Sequence, residues 1–247
     1  MNYLAFIMAG LFCGFVDSCL GMGFGVTSAS VLITFGVAPA IASASVHAAE
    51  AVVDLVSGVS HWKLGNVDME LGVRMLVPGV VAAVLGALFL SGLSLGIAKI
   101  LMRVVLLALG LYILYRHWNY KPPEFRQVSK ARAYLLGFVA SFIDVAVGGG
   151  WGPLGTPALL LMGVEPKKVV GTIEFTEPFI SVAAVITFGF TLGFDSFLWG
   201  MAIPMIIGGV MLTPIAAFVT NKIPARTLGI CIGVWLVALN LYGLTQG

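Results

Sequence analysis

The sequence predicts an all-α integral membrane protein. It is expected to consist of two inverted-topology repeats, each with a broken or re-entrant helix pair and about three transmembrane helices. Three observations lead there. First, 60% of the 247 residues are hydrophobic and only 10% charged, with a mean hydropathy of +1.05. A soluble domain carries roughly 45–50% apolar and about 25% charged residues, so this chain needs lipid as its solvent. Second, apolar runs of spanning length alternate with short polar turns. Third, the two halves of the chain superpose on each other.

The elements follow in order. The opening "MNYLAFIMAGLFCGF" has no basic n-region and no small-residue cleavage site, so it reads as a first membrane segment, about 3–20, and not as a cleaved signal peptide. A short apolar run follows at about 24–35. It falls below the roughly 20 residues a bilayer crossing needs. Spans are expected at about 39–60, 72–90 and 97–117. The charged stretch "RHWNYKPPEFRQVSKAR" (116–132) then supplies a linker at 119–131. Beyond it the pattern recurs: an apolar run at 132–147, a short one at 151–162, and spans at about 168–190, 197–219 and 226–245. The chain 1–247 is thus one transmembrane domain, with repeat 1 at 1–118 and repeat 2 at 132–247.

A shift of 127 residues carries Asp17 onto Asp144, and Gly21, Gly23 and Gly25 onto Gly148, Gly150 and Gly152. It also carries Gly36, Val37 and Pro39 onto Gly163, Val164 and Pro166, Glu50 onto Glu177, and His47 onto Glu174. If each half crosses an odd number of times, the halves are inverted. Placing the linker in the cytoplasm puts 11 of the 13 Lys and Arg residues inside, leaving Lys99 and Arg103 outside. This is the distribution the positive-inside rule asks for. Both chain ends then lie outside.

The chemistry is concentrated in two matched stretches, "FVDSCLGMGFGVTS" (15–28) and "FIDVAVGGGWGPLG" (142–155). Alternating glycines break a helix, and Pro153 suits the start of a new one. Thr156, and Thr27 with Ser28, are candidate caps of the short helices. A helix that begins inside the membrane turns free N–H groups and a positive dipole end into a cavity, which makes an anion site without a cationic side chain. Gly21, Gly23, Gly25 and Thr27 in one half, and Gly148, Gly150, Trp151 and Gly152 in the other, are the candidate residues. The alternative is that the glycines only permit tight packing; one such run would favour it, two matched runs do not.

Acids within apolar segments are costly and usually mark a pathway. Here they are Asp17, Glu50, Asp54, Asp144, Glu174 and Glu177, accompanied by His47. His47, Glu50 and Asp54 share one helix face by spacing. Such acids can carry protons, bind sodium, or pair with a substrate's ammonium group. His47 is the candidate for direct contact with an anionic head group; its alternative is a hydrogen bond to Glu50. Pro178 after Glu177 is a candidate kink. In "HWKLGNVDMELG" (61–72), Trp62 suits the interface, Lys63 the positive side and Asp68 a helix cap, so the loop reads as structural. Cys13, Cys19 and Cys231 read as buried free thiols. The glycine-rich faces permit a homodimer without requiring one. No P-loop, HExxH or GxSxG is present. ATP-driven transport by this chain and hydrolase chemistry are therefore not expected, and neither a cofactor, a resident metal nor a nucleic-acid partner is indicated.

The acid before each Gly-x-Gly-x-Gly run, the following Gly-Val-x-Pro turns and the segment "HWKLGNVD" together resemble the TauE/SafE-type sulfite and organosulfonate exporters. The resemblance covers almost the whole chain. It implies a multi-pass inner-membrane protein that moves a small sulfur-containing anion outward by ion-coupled secondary transport, with the substrate and the lipid bilayer as partners. His47, Glu50, Glu174 and Glu177 depart from the small and hydroxyl residues usual there, and would suit a zwitterion such as taurine. Two other classes remain open at this stage. One is a cation or proton-coupled metal transporter using the acids, with Cys19, Met22 and His47 as soft ligands. The other is a membrane enzyme or sensor, which matched halves disfavour.

Overall fold

The computed structural model describes residues 3–118, 128–220, 222 and 225–245. Among these, every regular element is helical: α1 (Tyr3–Leu20), α2 (Phe24–Thr34), α3 (Pro39–Lys63), α4 (Met69–Gly92) and α5 (Leu95–Trp118), then α6 (Lys130–Val147), α7 (Trp151–Leu161), α8 (Pro166–Leu192), α9 (Trp199–Val219) and α10 (Ala225–Thr245). A single 3-10 turn, Phe194–Ser196, joins α8 to α9. Among the described residues, six helices (α1, α3, α4, α5, α8 and α9) are long and apolar enough to cross a membrane. The chain is a multi-pass membrane protein. Of the expected linker, residues 119–127 lie outside the described residues.

Helix boundaries follow local chemistry. Asp68 caps α4, its carboxylate accepting from the Leu71 amide at 3.0 Å. Pro39 and Pro166 open α3 and α8, where a missing N–H costs nothing. Pro178 lies inside α8 without ending it. The short helices α2 and α7 have eleven residues each, about 16 Å at 1.5 Å per residue. Neither can cross a hydrocarbon core of about 30 Å. Their N-caps are Gly23 and Gly150, which have no side chain of their own to make a cap hydrogen bond. The expectation that Thr27, Ser28 and Thr156 cap these helices is corrected: both helices start earlier, directly at the glycine breaks. Thr156 instead donates to the Gly21 carbonyl at 2.7 Å, tying α7 to the first break.

Helices α3 and α8 lie side by side at the centre. They run antiparallel: Gly58 of α3 is against Glu174 and Phe175, and Asn66, just past α3, is against Gly171 near the start of α8. Lys168 donates to the carbonyls of Gly65 and Val67 at 2.9 and 3.0 Å, fixing the start of α8 to the α3–α4 loop. Around this pair, α1 packs on α9 and α6 on α4, α9 packs on α3 and α4 on α8, and α5 packs on α10. On α4, Gly72, Gly79 and Gly86 face α8 and α6, while Val77, Val81 and Leu85 are exposed on the other side. Small residues let the backbones approach where lipid gives no hydrophobic drive between helices. The exposed valines and leucine are the lipid-facing stripe.

Candidate functional site

The two glycine breaks meet. Gly148 and Gly149 leave α6 with φ of 77° and 154°, conformations that favour glycine. A Cβ on Gly149 would strike the backbone of Gly25 and Val26, and one on Gly152 would strike Gly21 and Met22. The start of α2 therefore lies directly against the second break, and the start of α7 against the first. Backbone touches backbone at both contacts, so no side chain fits between them.

The aspartates ahead of the breaks are not free. Asp144 Oδ1 accepts from the Gly150 amide at 2.7 Å, and the Phe24 amide points to the Asp17 carboxylate. Each acid folds back onto the start of the helix that follows its own break. Part of the positive end on which the sequence reading placed a substrate anion is thus taken by the chain's own carboxylates. Sequence alone showed the acid and the glycines; it did not show that one serves the other.

His47 sits where the halves join. Its Nε2 lies 3.2 Å from Asp144 Oδ2 and 4.0 Å from Glu50 Oε2. Its Nδ1 lies 2.8 Å from the Ser43 carbonyl, which can only accept, so Nδ1 carries hydrogen. Nε2 then shares a proton with Asp144. The alternative raised for His47, a hydrogen bond to Glu50, gives way to this closer partner from the other half. Ser43 also donates to the Val145 carbonyl at 2.8 Å, holding α3 to the end of α6. Ser43 was missed at sequence level, although its position one turn before His47 was the signal to read.

The remaining acids converge. One oxygen from each of Asp17, Glu174 and Glu177 lies within 4.8 Å of the others, and the same holds for Glu50, Asp54 and Glu177. All five side chains are buried, between 0% and 4% exposed. Glu50 also abuts Gly25, so the acids adjoin the crossing of the breaks. Thus Asp17, His47, Glu50, Asp54, Asp144, Glu174 and Glu177 form one interior polar region beside the contact of the two breaks at Gly21, Gly25, Gly148, Gly150 and Gly152, while a Cβ on Gly23 would meet Ile232 and Val16.

Two further predicted residues have their own surroundings. Thr27 lines an apolar cavity of about 560 Å³ with Cys13, Met205, Cys231 and Trp235. Trp151 is fully buried and donates to the Ile173 carbonyl at 3.3 Å, bracing α7 on α8. Cys13 and Cys19 are free and buried; Cys231 is free but exposed, which corrects the expectation for that thiol. In the "HWKLGNVD" segment, His61 bonds the Ser18 carbonyl at 2.9 Å and Asn66 Nδ2 lies 3.1 Å from His61 Nδ1. Ser57 donates to Ser18 at 2.6 Å, and Ser18 to the Thr213 carbonyl at 3.1 Å. These bonds pin α3 to α1 and α9, in line with the structural reading of the segment.

The profile of the family described as "Sulfite exporter TauE/SafE" matches residues 6–243. The chain is 40% identical over 242 residues to the "Probable membrane transporter protein YtnM" of Bacillus subtilis (strain 168), covering 96% of this chain and 81% of that protein. No solved structure matches it.

Proposed function

We propose, since the chain belongs to the TauE/SafE sulfite exporter family, that it is a secondary transporter exporting a small sulfur-containing anion by alternating access. Being a membrane transporter of this type, it is not expected to be an enzyme. The observation that carries the proposal is the back-to-back contact of two short helices at two glycine breaks, next to a buried cluster of acids. Half-helices meeting in a membrane interior are how inverted-repeat transporters build a substrate site. The antiparallel pairing of α3 and α8, equivalent by sequence, supports inversion of the two repeats. The exchange-symmetric packing, α1 on α9 with α6 on α4, supports it too. In this reading repeat 1 spans 1–118, repeat 2 spans 132–247, and the linker and the Lys63 and Lys168 ends face the cytoplasm.

An anion reaching the starts of α2 and α7 meets the first-turn amides that a helix leaves outside its own ladder. It competes there with Asp17 and Asp144. Transfer of the shared proton from His47 to Asp144 Oδ2 would neutralise the aspartate, weaken the bond its Oδ1 accepts from the Gly150 amide, and favour an anion at that end. Glu50, Glu174 and Glu177 would take the coupling proton or ion, or the ammonium group of a zwitterion such as taurine. Thermal unfolding of the purified protein with sulfite, sulfate, thiosulfate, taurine and sulfoacetate tests this, because a ligand of the folded state raises its stability by mass action. The proposal expects a saturable rise with sulfite or a sulfonate. No rise with any of them, beside a rise with a metal cation, favours the second reading: a cation transporter whose cargo sits among the acids.

A further inference from the structure

We propose that Asp17, Glu174 and Glu177, and Glu50, Asp54 and Glu177, form two overlapping binding sites for a hard metal cation, with Glu177 common to both. In each triad the three oxygens lie within 4.8 Å of one another. A cation that holds oxygens at about 2.3–2.6 Å accepts ligand pairs up to about 5 Å apart, so each triad has the right span.

An independent observation points to a ligand. Both oxygens of Asp54, both of Glu174, Oε2 of Glu50 and of Glu177, and Oδ2 of Asp17 have no hydrogen-bond partner within the described protein. Buried polar atoms are nearly always satisfied, and a bound ion is one of the few things that explains a group of exceptions. Seven such atoms, all from the five acids, are directed into one interior region.

The donor set selects the class. Each triad offers only carboxylate oxygens, which suit sodium, calcium, magnesium or manganese and not soft metals. The thiol and imidazole that a soft-metal site would use are engaged elsewhere. Cys19 Sγ points to the Ala216 carbonyl at 3.7 Å, and His47 is held by Asp144. A shared Glu177 gives the cation two adjacent stations on α8, one with Asp17 of α1 and one with Glu50 and Asp54 of α3. Movement of α8 relative to either helix would change which station is complete. Only the coupling role of this cation rests on the transporter reading; its binding does not.

The test uses the full chain purified in detergent, stripped with a chelator in choline chloride, and returned to sodium, calcium or manganese at constant ionic strength. Thermal unfolding and equilibrium dialysis with radiolabelled cation are read together. A saturable rise in unfolding temperature with stoichiometric binding is expected for at least one of these cations. Glu177→Gln should abolish both. Asp54→Asn and Glu174→Gln each cripple one triad and leave the other, and the two combined in one chain should weaken binding by at least about tenfold, since loss of even an outer-shell partner costs about 10–100-fold. Glu70→Gln, on the exposed start of α4, should change nothing. If Glu177→Gln fails to fold, the combined variant decides. Folded protein that binds none of these cations overturns the proposal, as does binding unchanged when Asp54→Asn and Glu174→Gln are combined. Stability that follows pH alone, with no cation response, overturns it equally. Cation binding without any response to sulfur anions leaves this inference standing and removes the anion reading; the converse does the opposite.

Discussion

Gly149→Ala probes the contact on which the architecture of the centre depends. Gly149 has φ of 154°, and its new Cβ would lie 2.8 Å from Val26 Cα and closer still to the Val26 amide nitrogen and Gly25. These are backbone atoms, so no rotamer change relieves the clash. A residue held in an unfavourable φ region costs about 1–3 kcal/mol, and forcing extra volume into a packed interior costs about 1–3 kcal/mol more. The variant should lose roughly 2–6 kcal/mol. Gly36→Ala is the control, because Gly36 has φ of 85° with nothing within 4 Å of a Cβ. It meets the conformational cost alone, about 1–3 kcal/mol. Both variants are compared with the parent by unfolding in mixed micelles of graded denaturing detergent. The expected order is parent, then Gly36→Ala, then Gly149→Ala. Equal stability of the two variants would refute the backbone-on-backbone contact of the glycine breaks.

Three further outcomes follow from individual contacts. His47→Gln strips Asp144 of its buried partner and should cost about 3–5 kcal/mol, because an uncompensated charge is left inside; adding Asp144→Asn should return most of that loss in the same unfolding assay. Asp68→Ala removes the cap of α4 and should cost about 1 kcal/mol, with faster amide exchange at Leu71 as its local sign. Lys168→Met deletes both bonds to the α3–α4 loop and should increase proteolytic nicking between Leu64 and Asp68 without preventing folding.

Much of the fold was legible because the membrane imposes it. Apolar runs must be helices there, since backbone groups have no other partner in hydrocarbon, so the expected spans match α3, α4, α8 and α9 to within a few residues. The short helices were legible from their flanks: glycine runs before, a Gly-Val-x-Pro turn after, and too few residues between. The acids were legible as a group, because a charge in an apolar helix stands out. Their partners were not. Asp144 with His47, and Glu177 with both Asp17 and Glu50, join residues on different helices, often in different halves, and no periodicity within one helix encodes that. The caps of α2 and α7 were misplaced for a related reason. Thr27 and Thr156 fit the chemistry of a cap, but the helices begin at the breaks and Asp17 and Asp144 reach the first amides from across the glycines. The apolar cavity lined by Thr27 and Cys13 had no sequence signal, since its walls come from α1, α2, α9 and α10 together.

The most direct test is flux. The purified chain is reconstituted into liposomes loaded with unlabelled sulfite, taurine or sulfoacetate, and uptake of the labelled compound is followed as counterflow. A secondary transporter of a small sulfur-containing anion gives transient, saturable accumulation for at least one of them, diminished in Glu177→Gln. Liposomes carrying folded protein that take up every sulfur compound no faster than empty ones, while moving a metal cation, would contradict it.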